Sequence, residues 1–268
     1  MLYKILILFY MSNVTEKNVV CSFWMGSLSN LEITSIKSFI YNGFNVVIYT
    51  YEPETFTINL KNLEIKDASC IISNTLYKKV FDKSTVKGRY TEASWFANMF
   101  RYKMLYDNGG VWFDLDIICV RPFSIDQTML VSQKDSMCSI NNNFICVEKG
   151  DALMQCAYDK CMENFKKGEK RIHGSTGPSL LSSLLKLPEW ESYIQFVLPS
   201  LAFNEIDWKE IKSITEPNKH MDLLLNENLL GIHLWNKVWS SDLKLSKDTF
   251  DYPDSLIKHL YNKYENVV

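Results

Sequence analysis

The chain has 268 residues, 47% of them hydrophobic and 22% charged, with a formal net charge of -2. That apolar content can build the core of one large domain. With no basic excess there is no electrostatic footprint for a phosphate backbone, so nucleic-acid binding is not expected. The cysteines (Cys21, Cys70, Cys119, Cys138, Cys146, Cys156 and Cys161) form no C-x-x-C pair and match no zinc spacing. Free thiols in a reducing, cytoplasmic setting are the expectation.

Residues 1–11, M-L-Y-K-I-L-I-L-F-Y-M, are apolar. The run is far shorter than the roughly 20 residues a membrane span needs, and no small-residue cleavage site follows it. Residues 1–17 read as an N-terminal extension, either an added strand or at most a peripheral membrane contact through residues 1–11. Next, N-V-V-C-S-F-W at 18–24 reads as a buried strand. Ser29-Asn30-Leu31-Glu32 has the form of a capping box. Ile33, Ile36, Phe39 and Ile40 then recur at helical spacing, and Gly43 is placed to end the helix. N-V-V-I-Y-T-Y at 45–51 reads as a second strand, closed by Pro53. Strand, helix and strand in this order form a right-handed crossover of a parallel sheet, which predicts an α/β fold. Ligands of such folds lie beyond the carboxyl ends of the strands. Those ends are Phe23-Trp24-Met25-Gly26 and Tyr49-Thr50-Tyr51.

Residues 56–90 read as short strands and loops with a basic character from Lys78, Lys79, Lys83 and Lys87. Residues 91–106 are strongly helical. Phe96, Phe100 and Met104 make an apolar stripe, while Ser94, Asn98 and Arg101 share another face. Asn108-Gly109-Gly110 ends that helix, and Val111-Trp112-Phe113 forms a short strand leading to Asp114-Leu115-Asp116. Further on, residues 129–150 suggest short strands with Asn141-Asn142-Asn143 as a turn, and 151–165 suit a helix. In His173-Gly174-Ser175-Thr176-Gly177-Pro178, Ser175 or Thr176 suits a helix cap with Pro178 in the first turn. Gly231 to Trp239 looks like a strand or turn, and residues 246–268 a helical tail. The main domain is expected over 18–245. No repeat, low-complexity tract or linker interrupts it.

Side chains alternate along an extended chain, so Asp114 and Asp116 are expected on one side with Leu115 on the other. Two such acids repel unless a cation lies between them. A hard divalent ion, Mn²⁺ or Mg²⁺, takes one or two carboxylates and fills its shell with diphosphate oxygens. A lone D-x-D is common by chance. Here it lies within F-A-N-M-F-R-Y-K-M-L-Y-D-N-G-G-V-W-F-D-L-D-I-I-C-V-R-P-F. That stretch resembles the signature of DXD-type retaining glycosyltransferases, the family-32-like group of capsular-polysaccharide transferases and initiating α-mannosyltransferases. F-W-M-G-S, L-E-x-x-S-I-x-S-F and Y-T-Y-E-P are similar to the group's amino-terminal part, and I-H-L-W-N-K-V-W to its late H-x-W-N element.

The resemblance implies a GT-A-type nucleotide-diphospho-sugar transferase fold, a single domain with a central mixed, mostly parallel sheet. It implies a metal-dependent hexosyltransferase that retains the anomeric configuration. The donor would be a nucleotide sugar, UDP-linked by preference and GDP-mannose as the second option. The acceptor would be a glycan, a glycolipid or a protein. Asp116 would bind the metal, Asp114 the donor ribose or sugar, and Arg101 would face the donor sugar. Trp24 and Tyr49, with Gly26 nearby, lie where a base would stack, and Trp112 replaces a frequent tyrosine. Asn98 stands where many members carry an acid, which leaves the donor sugar open. His233 reads either as a satisfied core histidine or as a ligand of the metal–diphosphate site. His173 and Thr176 read either as a helix start or as an acceptor or diphosphate loop. Trp235 and Trp239 read as core packing or as an acceptor platform.

Two rival readings are weighed against this one. A dehalogenase-type phosphatase also uses D-x-D after a strand, but wants Thr or Val where Ile118 stands. The alternative kept is a catalytically inactive carbohydrate- or nucleotide-binding protein with the same fold.

Overall fold

The computed structural model describes residues 18–81, 89–134, 136–167 and 175–268. The extension 1–17, with its expected membrane contact, and His173 lie outside the described residues. The chain opens with the expected crossover: β1 (Val19–Phe23), α1 (Asn30–Tyr41) and β2 (Asn45–Thr50). Ser29 and Glu32 form a reciprocal capping box at the start of α1. Gly43, with φ +90°, takes the left-handed turn that releases the chain into β2. β3 (Leu63–Asp67) adds a third parallel strand. Residues 74–80 depart from the expected loop and form a short helix, α2 (Asn74–Val80), whose Ser73 hydroxyl accepts from the Leu76 N–H.

The chain then returns through α3 (Arg89–Asn108) to β4 (Gly110–Phe113), which lies on the other side of β1 and parallel to it. β5 (Ile117–Cys119) leaves the main sheet. β6 (Met129–Gln133), β7 (Ser136–Val147) and β8 (Val197–Leu198) complete it, and α4 (Ala152–Lys166) and α5 (Pro178–Leu184) connect them. The seven-stranded order is β3-β2-β1-β4-β7-β6-β8. The first four strands are parallel, and β7 runs antiparallel to both β4 and β6. It is a mixed, mostly parallel α/β sheet, as expected.

Side-chain alternation splits the core. Val20, Val46, Ile48, Val111 and Phe113 pack against α1. Cys21, Phe23, Val47, Tyr49 and Trp112 face α3. Helix α3 buries more than the expected stripe. Trp95, Phe96, Met99, Phe100, Tyr102, Met104 and Leu105 are all buried, because the helix is covered on two sides by the sheet and by α4. A third cluster wraps β5, its antiparallel partner β9 (Gly231–His233) and the last helix, α6 (Leu256–Tyr264). There the Tyr264 hydroxyl donates to the Cys119 carbonyl at 2.8 Å.

The expected turn at Asn141–Asn143 is absent. These residues lie inside β7, whose register with β6 jumps from Leu130↔Ile145 to Val131↔Asn141. The strand bulges away from β6 over residues 142–144 and so aims its amides elsewhere. No described helix is long and apolar enough to cross a membrane. The described cysteines Cys21, Cys70, Cys119, Cys146, Cys156 and Cys161 are free thiols.

Gly109 and Gly110 make the sharp passage from α3 into β4, with φ +67° and +91°. A Cβ on Gly109 would stand 2.4 Å from the Lys149 nitrogen, whereas one on Gly110 would meet nothing within 4 Å. Gly109→Ala is expected to cost about 3 kcal/mol or more of unfolding free energy in urea, from a left-handed residue and a backbone clash together. Gly110→Ala is expected to cost roughly 1–2 kcal/mol, from conformation alone. Equal losses would contradict the close approach.

Candidate active site

The return through α3 places β4 beside β1, while β2 and β3 lie on β1's far side. The connections therefore diverge at the carboxyl ends of β1 and β4, and a crevice opens there. Trp24 and Gly26 follow β1, and Asp114 follows β4.

The two acids do not lie on one extended strand. Asp114, Leu115 and Asp116 form a turn closed by the Ile117 N–H donating to the Asp114 carbonyl at 3.0 Å. Leu115 is buried beneath it. The turn is fixed on both sides by main-chain bonds. Asp114 N–H donates to Asn143 O at 2.7 Å, and Leu234 N–H donates to Asp116 O at 2.7 Å. The alternation expected for a strand is thus replaced by a turn that still gathers both carboxylates.

Asp114 is held from the α3 side. Arg101, buried on α3, puts Nη2 2.6 Å from Asp114 Oδ1, and the Trp112 indole N–H donates to the same oxygen at 2.8 Å. The guanidinium also donates from Nη1 to Asn142 O at 2.6 Å and stands 4.6 Å from the Trp112 ring centre. It is therefore fixed by a charge, a carbonyl and a π-face. Burial pushes the Asp114 carboxyl up, against the pull of Arg101.

Asp116 is held from the carboxyl-terminal side. Asn236 N–H donates to Oδ2 at 2.8 Å, and His233 Nε2 lies 3.3 Å from Oδ1. Burial alone would raise this carboxyl. The imidazole and the Asn236 N–H outweigh it and hold Asp116 below the usual carboxylate range. His233 comes from β9, where it pairs with Ile117 directly after the turn. Its ring packs on Trp235 at 4.0 Å between centroids.

Asp114, Asp116 and His233 each offer one ligand atom within 4.8 Å of the others. Asp116 Oδ1 has the His233 ring nitrogen beside it but makes no hydrogen bond, and His233 Nδ1 is buried with no hydrogen-bond partner. A buried carboxylate oxygen so sparsely paired has room for a further ligand. Neighbouring ligands of a six-coordinate hard ion stand about 3 Å apart and opposite ones about 4 Å, so the three groups would draw inward to hold one cation.

The remaining residues divide. Trp24 is half-buried beside the crevice, with its indole N–H donating to Ser27 O at 3.2 Å and the Lys247 ammonium 5.4 Å from its ring. Gly26 is exposed at φ +84°. Tyr49 departs from the expected stacking platform. It alternates onto the α3 face, is buried, and packs at 5.5 Å on Phe100. Trp239 is fully buried, with its N–H on Ser246 O, so it is core rather than an acceptor platform. Trp235 is half-buried with φ +51°, and its N–H donates to Ile206 O at 2.8 Å.

Thr176 and Asn98 meet in a closed amide network. Asn98 donates to the Thr176 hydroxyl at 3.3 Å and accepts from Asn142 at 2.8 Å, while Tyr102 donates to the Thr176 carbonyl. Thr176 is therefore buried rather than open to an acceptor or diphosphate. It does not cap α5 either, because Gly177 takes that position.

Sequence reasoning missed Asn142, Asn143 and Asn236. The signal was there for the first two: three consecutive amides inside an otherwise apolar segment have little reason to form a strand unless the amides are used. Asn236 closes the H-x-W-N element, but its two contacts, main-chain N–H to Asp116 and side chain to Glu32, are long-range and leave no local signal. Asp114→Ala would leave the Arg101 charge buried without its partner. The expected cost is about 2–4 kcal/mol in denaturant unfolding, below the fully buried case because Asp114 keeps some exposure. An unchanged unfolding free energy would contradict the pairing.

Two family models match the sequence. "Glycosyltransferase sugar-binding region containing DXD motif" matches residues 23–137, and "Alpha 1,4-glycosyltransferase conserved region" matches residues 147–264. No curated protein matches the sequence. Among solved structures, the PaToxG glycosyltransferase is similar at 18% identity and TM-score 0.51, over 67% of this chain and 73% of its own. The glycosyltransferase GlyE of Streptococcus pneumoniae TIGR4 is similar at 13% identity and TM-score 0.50, over 95% of this chain and 61% of its own. These likenesses support the fold, and the two adjoining family matches meet on either side of the β7 bulge. With a D-x-D turn at the crevice of such a sheet, the two matches support a glycosyltransferase of the DXD-motif class.

Proposed function

We propose that the chain moves a hexose from a nucleotide diphosphate sugar to a glycan, glycolipid or protein acceptor, with a divalent cation and with retention at the anomeric carbon. The observation that carries this reading is the Asp114–Asp116–His233 cluster at the crevice, with no hydrogen bond to Asp116 Oδ1. Asp116 and His233 would hold the cation, and Asp114 would share it or meet the donor ribose. A nitrogen ligand disfavours magnesium, which prefers oxygens, so manganese is the better fit. When bound, the cation neutralises the diphosphate and makes it a weakly basic leaving group.

The protein's own groups do the rest. Arg101 adds a fixed positive charge that holds the Asp114 carboxylate in place, and it would face the donor sugar beside that acid. The half-buried face of Trp24 would take the base, and Tyr49 contributes only by packing. Asn98 has both amide atoms engaged by Thr176 and Asn142, so the sugar would meet a neutral, already committed amide in place of the acid. Trp235, against His233, remains the acceptor-side candidate. In the reaction the bond between the anomeric carbon and the phosphate oxygen breaks. The acceptor oxygen bonds the same face, and its proton passes to the departing phosphate oxygen. A UDP-hexose is the favoured donor. The match to an α1,4-transferase region supports retention, because common UDP-hexoses already carry the diphosphate in the α configuration. The free thiols support a cytoplasmic setting.

Asp116→Asn tests the site. Transfer or hydrolysis of the UDP-sugar is expected to fall by about 10²–10³-fold or more, with circular dichroism and melting point near those of the parent. The anomeric coupling of the product by NMR is expected to report the α form. Undiminished turnover in the variant would overturn the assignment. Binding without any turnover in the parent would move the reading to the non-catalytic alternative.

A further inference from the structure

Glu32 reads in the sequence as a helix cap, and the structure gives it that task. Its Oε2 accepts from the Ser29 N–H at 2.8 Å and from the Ser29 hydroxyl. Capping alone does not require burial, and most capping acids stand in water. Glu32 is 0% exposed. A carboxylate taken wholly out of water is costly unless its other oxygen is also paired.

That second oxygen reaches across the fold. Oε1 accepts from the Asn236 side-chain amide at 2.9 Å and pairs with the Lys247 ammonium. The same stretch is tied down by its main chain, with the Leu31 N–H donating to Lys247 O at 2.9 Å. Asn236 is thus gripped by its side chain. Its main-chain N–H is the group that donates to Asp116 Oδ2 at 2.8 Å. The preceding residue, Trp235, has φ +51°, a backbone state that a non-glycine residue holds only when its surroundings fix it. One buried acid on α1 therefore anchors the segment that orients the acid of the D-x-D turn.

We infer that Glu32 is a positioning residue of the cation site. By holding Asn236, it fixes Asp116 through Oδ2 and leaves Oδ1 turned toward His233 and free for a ligand. This rests on the proposed metal role of Asp116. Lys247 supplies the balancing charge and, 5.4 Å from the Trp24 ring, joins the same anchor to the base side of the crevice.

The test is Mn²⁺ binding to the full chain, titrated by electron paramagnetic resonance, with melting followed by circular dichroism. Glu32→Leu and Asn236→Ala are each expected to weaken Mn²⁺ binding by about 10-fold or more, the usual effect of removing an outer-shell partner. Glu32→Gln separates positioning from folding. Its carbonyl still accepts from Asn236, but its NH₂ faces the Ser29 N–H, so the cap is lost. It is expected to melt lower yet keep Mn²⁺ affinity within about 3-fold of the parent. A merely structural Glu32 would make affinity follow melting point across the set. That pattern, or a folded Glu32→Leu or Asn236→Ala that binds Mn²⁺ like the parent, would overturn the inference. If Glu32→Leu does not fold, Asn236→Ala decides. A parent chain that binds no Mn²⁺ would overturn the metal reading of Asp116, and this inference with it.

Discussion

Two carboxylates share one three-residue turn, and their mutual repulsion is the constraint around which the site is built. Each is steadied from a different side. Arg101 and the Trp112 indole take Asp114, and His233 and the Asn236 N–H take Asp116. Neither acid is fully satisfied by protein. Asp116 Oδ1 keeps a vacant lone pair in a buried place, and the neighbouring imidazole has an orphaned nitrogen. The protein thus steadies both acids and still leaves a lone pair suited to a cation.

The rest of the fold supplies rigid supports for this turn. Arg101 rides on a helix covered by sheet and by α4, so its guanidinium has little freedom. Asn143 and Asn142 offer carbonyls to Asp114 N–H and to Arg101 because β7 bulges where its register with β6 breaks. Gly231 lets β9 lie close to the Phe203 ring and to β5, which brings His233 level with Ile117. Further out, Glu32 and Lys247 tie α1 to the segment carrying Asn236. The site is assembled from distant stretches of chain, each held by packing rather than by its neighbours in sequence.

Much of this was legible before the fold was seen. The capping box, Gly43 and the apolar runs marked the first crossover, because caps, turns and period-2 burial are local properties. Asn108-Gly109-Gly110 and the D-x-D were legible for the same reason, and so was the shared face of Asn98 and Arg101. What failed was long-range. Tyr49 stands at a strand end but alternates into the core, and Trp239 is swallowed by the third cluster. Thr176 has the chemistry of a cap but spends it on Asn98. Asn141–Asn143 look like a turn by propensity, and tertiary bonds to Arg101, Asp114 and Asn204 override that propensity. Glu32 showed its cap and hid its second partner, 204 residues away.

The central claim is that the acid turn exists to hold a cation with a nucleotide diphosphate. The most direct measurement is a thermal-shift panel of UDP- and GDP-sugars, each with Mn²⁺, with Mg²⁺ and with chelator. A ligand that binds only the native state raises the midpoint by mass action. The account predicts a rise for a UDP-sugar with Mn²⁺ that chelator abolishes. A rise of the same size in chelator, or none with any donor and metal, would contradict it.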